Sequence, residues 1–85
     1  MFEIKIFFKE LISVHNFHKE ITKIACDIDL VATTSRYCVD AKSLLGIFSM
    51  DLSNPVIVRA YTNDQVIMQK IKDIVSKEKI QCVEN

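Results

Sequence analysis

The chain has a single glycine, a single proline and no tryptophan among its 85 residues. One glycine excludes a glycine-rich loop that wraps phosphates, and with it a nucleotide site of that kind. Formal charge is zero, 11 cationic side chains balancing 11 acidic ones, and no lysine or arginine run stands out. The long-range field that draws nucleic acid or an anionic membrane is therefore missing, so neither is an expected partner. The balance is silent about protein partners, and it leaves little repulsion to prevent self-association. No apolar run approaches the roughly 20 residues of a membrane span. The opening, Met1-Phe2-Glu3, has neither a basic leader nor a small-residue cleavage site, and cytoplasm is the expected compartment. Cys26, Cys38 and Cys82 are odd in number and irregularly spaced, without a Cys-X-X-Cys pair. That argues against a thioredoxin-like site or a compact zinc knuckle, and for reduced thiols. Cys26 and Cys38 are expected to be partly buried, and Cys82 to lie in a reachable polar tail.

What is present is enough apolar residue for one core, at 49% of the chain, in a length that leaves no room for a second. Phe2, Ile4, Ile6 and Phe8 alternate with Glu3, Lys5 and Phe7, the period of a half-buried strand. Val14, Phe17, Ile21, Ile24, Ala25 and Ile28 then fall three or four apart, an apolar helix stripe, with Ser13 placed to cap it. Leu30 to Thr34 and Tyr37 to Val39 read as two short strands joined through Thr34-Ser35-Arg36. Asp40 or Ser43 is placed to cap a short helix of Leu44, Leu45, Ile47 and Phe48. Gly46 inside it costs roughly 1 kcal/mol against alanine, which a close neighbouring backbone would explain. Val56 to Tyr61 is a strongly β-prone strand with Val56, Val58 and Ala60 on one face. Thr62 and Gln65 form a capping-box signature before a helix whose stripe is Ile67, Ile71, Ile74 and Val75. Residues 78–85 read as a tail beyond a core of about 2–77. The order β-α-β-β-α-β-α, with two one-sided long helices, predicts an α+β fold with both helices on one face of a mostly antiparallel, four-stranded sheet.

Chemistry near neutral pH falls to two histidines. His15, placed in the first helical turn, could take a phosphoryl group beside free N–H groups; His18 sits at the edge of the stripe. Both also read as ordinary helix-surface residues. No third ligand is spaced to hold a metal with them, no cofactor motif occurs, and no nucleophile, base and orienting group assemble. Independent turnover is not expected. Ser43 stands at the start of the short helix, next to Leu44, Leu45 and Phe48. So few turns cannot turn every apolar side chain inward, and some are left to meet a partner.

The segment Val39-Asp40-Ala41-Lys42-Ser43-Leu44-Leu45-Gly46-Ile47-Phe48-Ser49-Met50 resembles the regulatory-serine segment of HPr, the phosphocarrier of the bacterial sugar phosphotransferase system. The resemblance is strongest over residues 27–61, and the order of elements extends it along nearly the whole chain. It implies one HPr-like domain, 1–85, with the open-faced β-sandwich of that family. It also implies that Ser43 matches the kinase-modified serine, and that Leu44, Leu45 and Phe48 match the surface offered to partners. Those partners would be phosphotransferase-system enzymes or a serine kinase. The phosphate-accepting end departs from the pattern. The family carries Gly, an apolar residue, His, Ala, Arg, Pro at the start of the first helix; here the stretch reads Glu10-Leu11-Ile12-Ser13-Val14-His15-Asn16-Phe17-His18. Ser13 or Ile12 falls where the family histidine stands, and no arginine follows to grip phosphoryl oxygens with paired hydrogen bonds. The favoured expectation is a binding or regulatory module that has lost phosphate carrying. The alternatives are a carrier using His15, or less readily His18, and a dimeric structural module.

Overall fold

The chain folds around β4 (Val56–Ala60), whose Val56, Val58 and Ala60 are buried while Ile57 and Arg59 face the other way. A computed structural model of the protein describes residues 1–83. Besides β4 its elements are β1 (Phe2–Phe7), α1 (Leu11–Ile21), β2 (Ile28–Ala32), β3 (Cys38–Asp40), α2 (Leu44–Phe48), α3 (Gln65–Lys77) and β5 (Gln81–Cys82). The strands lie in the order β3-β2-β4-β1-β5, with antiparallel pairing throughout the described residues. Among the described residues the sheet has five strands and not four. Gln81 pairs with Phe7 and Cys82 with Ile6, and Val83 N–H donates to the Lys5 carbonyl at 2.9 Å. Residues 78–83 are thus not a free tail, while 84 and 85 lie outside the described residues.

Both long helices press their stripes into one core with the inward side chains of the sheet. Val14, Phe17 and Ile21 come from α1, and Ile71, Ile74 and Val75 from α3. The other face of the sheet is open, as expected for an open-faced sandwich. There Arg59 Nε donates to Glu3 at 2.7 Å and Tyr61 Oη to Asp29 at 2.8 Å.

Helix boundaries depart from expectation in three places. First, α1 opens at Leu11 from Glu10, whose side chain caps nothing; Ser13 is instead inside the helix and donates to the Glu78 carbonyl at 3.3 Å. Second, it stops at Ile21, so Ile24 reaches the core from a turn, Ala25 is exposed, and Ile28 begins β2. Third, Asp64 and not Thr62 caps α3, accepting from Val66 N–H at 2.9 Å. At its far end α3 closes in a left-handed residue, Lys79 at φ 55, with Lys79 N–H bonded to Ser76 and Ile80 N–H to Val75. Glycine is the usual occupant of that position because it has no Cβ to clash.

Candidate functional site

Helix α2 is short, and its side chains divide sharply. Ile47 is sealed in the core, Leu44 is half-buried, Leu45 is 85% exposed and Phe48 is 47% exposed. The helix is pinned on the side opposite Leu45. Ser43 caps it, Oγ accepting from Gly46 N–H at 3.1 Å. Gly46 is crowded by side chains and not by backbone. A Cβ there would lie 3.2 Å from Ser43 Oγ and 3.3 Å from Val39 Cβ, so glycine is what lets the cap and β3 pack against the helix. Replacing Ser43 with alanine is expected to remove about 1 kcal/mol. The local readout is faster hydrogen exchange at Gly46 N–H; exchange unchanged at that amide would discount the cap.

Lys42 fixes the approach to Ser43. Its N–H donates to Asp40 at 2.9 Å, its Nζ to the Ile24 carbonyl, and its own carbonyl lies 2.9 Å from His18 Nε2. A carbonyl can only accept, so Nε2 of His18 is the donor in this contact. His18 therefore ties α1 to the segment that carries Ser43, a role the sequence pattern did not suggest.

His15 is the fifth residue of α1, not part of its first turn. The amides free at a helix start belong to residues before it, 10 to 13 here. His15 is exposed, and its ring makes no hydrogen bond within the described residues. The start of α1 presents instead Glu10, Leu11 (73% exposed), Ile12 (58% exposed) and Ser13. Neither arginine is near. Arg36 lies in the β2–β3 connection and Arg59 is paired to Glu3 on the open face. The three thiols are free; Cys26 is half-buried, whereas Cys38 and Cys82 are exposed, so Cys38 is less covered than expected. Burial, reinforced by Asp29, raises the Cys38 thiol above the usual thiol range, and burial raises that of Cys26. Neither is primed as a nucleophile.

An open antiparallel sheet with three helices, a capped short helix and half-exposed apolar residues beside it defines a phosphocarrier-like fold. It is the fold of the HPr proteins. HPr-C-His from Thermoanaerobacter tengcongensis superposes with a TM-score of 0.71 at 22% identity, over 92% of this chain and 94% of that one. The histidine-containing phosphocarrier protein of a mycoplasma gives 0.66 at 21% identity, over 94% and 97%. No family profile matches the sequence, and no curated protein matches it. At such identities the likeness is one of fold. No helix among the described residues is long and apolar enough to cross a membrane.

Proposed function

We propose that this chain is a single HPr-like domain, acting in the cytoplasm, that binds protein partners and no longer carries phosphate on a histidine. The observation that carries this reading is the opening of α1. Glu10, Leu11, Ile12 and Ser13 occupy it, with His15 beyond the free amides and both arginines elsewhere. A phosphoryl group moved to an imidazole needs donors and fixed positive charge around its oxygens; the free amides of α1 lie before His15, and neither arginine is placed beside it. The partner-binding half of the resemblance is supported by what α2 leaves in solvent. Leu45 and Phe48 project beside an exposed Ser43, and the bond from His18 to Lys42 joins α2 to α1 as one surface. Ser43 is the residue we assign to a regulatory serine kinase, and phosphotransferase-system enzymes are the partner class.

Incubation with phosphoenolpyruvate and the enzyme that phosphorylates HPr tests the first half. The expected result is no acid-labile, base-stable phosphoryl group. If such a group forms and His15→Ala abolishes it, the chain is a carrier and the proposal fails.

A further inference from the structure

The far end of α2 is held by a side chain from outside the helix. Ser49 Oγ donates to the Gly46 carbonyl at 2.6 Å and lies 2.7 Å from Tyr37 Oη. A carbonyl can only accept and a hydroxyl carries one proton, so Ser49 gives its proton to Gly46 and accepts from Tyr37. On the near side Gly46 N–H donates to Ser43 Oγ at 3.1 Å. Both ends of α2 thus close on Gly46, one through Ser43 and the other through Ser49 with Tyr37 behind it.

The strand beneath the helix sets where Tyr37 stands. The Tyr37 carbonyl accepts from Ala32 N–H at 2.9 Å, so the pairing of β2 with β3 runs on to this residue. Side chains two apart in extended chain point to the same side. Val39 packs against Gly46, its Cβ 3.3 Å from where a Cβ there would stand, and Tyr37 meets Ser49 about one turn further along α2. Ser49 N–H is bonded to the Leu45 carbonyl at 3.1 Å, which makes Leu45 and Ser49 neighbours on one face of the helix. Tyr37 therefore reaches α2 beside the face that carries Leu45 and Phe48. Its hydroxyl is engaged, yet the residue is 49% exposed. A tyrosine tethered in this way offers a large contact area that is already ordered, which is why the residue is frequent in interfaces.

We infer that the docking face of α2 continues onto the ring of Tyr37, which contacts the same phosphotransferase-system enzyme; the inference rests on the reading of α2 as the docking surface. The partner group that fits is an aliphatic or aromatic side chain, because Ser49 already satisfies the hydroxyl and the ring is what remains to bind. The tether keeps the ring at the edge of the helix without making the contact itself. Tyr61 supplies a control, since it is about as exposed but bonded to Asp29 on the open face of the sheet.

Calorimetric titration with the enzyme that phosphorylates HPr is the test. Tyr37→Ala is expected to weaken binding about tenfold or more, and Tyr37→Phe, which keeps the ring, by less than about threefold. Tyr61→Ala is expected to leave affinity unchanged. Circular dichroism establishes that each variant is folded. Unchanged affinity in Tyr37→Ala, beside a loss in Leu45→Ala/Phe48→Ala, overturns the inference and leaves α2 as the docking surface. An equal loss in Tyr37→Phe and Tyr37→Ala overturns it too, because the tyrosine would then act by holding α2 and not by contact. So does an equal loss in Tyr61→Ala. No binding by the wild-type chain, or full affinity in Leu45→Ala/Phe48→Ala, removes the reading of α2 and the inference with it.

Discussion

Replacing Phe17 with alanine is expected to destabilise the chain by about 3–5 kcal/mol. Phe17 is fully buried where α1 meets the sheet, and its ring stands edge-on to Phe8, centroids 5.3 Å apart at 72°. Truncation removes the transfer energy of the ring, leaves a cavity between two rigid layers, and abolishes an edge-to-face contact worth about 0.5–1.5 kcal/mol. An 85-residue chain holds only about 4–13 kcal/mol at the usual 0.05–0.15 kcal/mol per residue. The substitution thus consumes a large part of the margin. Urea unfolding followed by circular dichroism should show a much lower midpoint with little change of slope. A loss below about 1 kcal/mol would mean that the pocket closes over the deleted ring, contrary to the close packing expected of a core.

Phe17 was legible from the sequence because a buried side chain leaves a period. Val56, Val58 and Ala60 were legible on the same grounds, alternating with Ile57 and Arg59. What the period hides is any part of an element that faces water. Leu11 and Ile12 form the first turn of α1 with exposed side chains, so the stripe begins only at Val14 and the helix seems to start late. The opposite error arises at the other end. Ile24 and Ile28 continue the three-and-four spacing although they enter the core from a turn and from β2, because any apolar residue aimed inward can mimic the period. β5 was invisible for a different reason: two exposed residues, Gln81 and Cys82, gain their strand geometry from pairing with β1 and not from their own pattern.

The site was legible where local chemistry decides it. Ser43 as cap follows from a serine before a short apolar run, and the outward placement of Leu45 follows from the few turns available to α2. The contact of His18 with the Lys42 carbonyl could not be read that way. It joins residues far apart in sequence, and only the packing of α1 beside the segment before α2 brings them together. His15 shows the cost of a misplaced helix start. Its proposed role depended on free first-turn amides, and a shift of the boundary to Leu11 moved those amides away from it.

Neighbouring residues of α2 should separate folding from recognition. Ile47→Ala is expected to cost about 2–5 kcal/mol of stability, since Ile47 is fully buried. Leu45→Ala with Phe48→Ala should change stability far less, because Leu45 gains little from folding and Phe48 is half in solvent. The same pair should weaken binding to an HPr-recognising phosphotransferase-system enzyme by about 30-fold or more, the loss that accompanies truncation of a central apolar anchor. Both effects follow from one geometric fact: Ile47 anchors α2 in the core, while Leu45 and Phe48 are left facing solvent. Calorimetric titration against that enzyme, with thermal unfolding of each variant alongside, reads the two quantities separately. Full affinity in the Leu45→Ala/Phe48→Ala variant would show that recognition lies elsewhere on the molecule. An equal fall in stability for all three truncations would show that α2 rotates, and that its exposed side chains are not held for a partner.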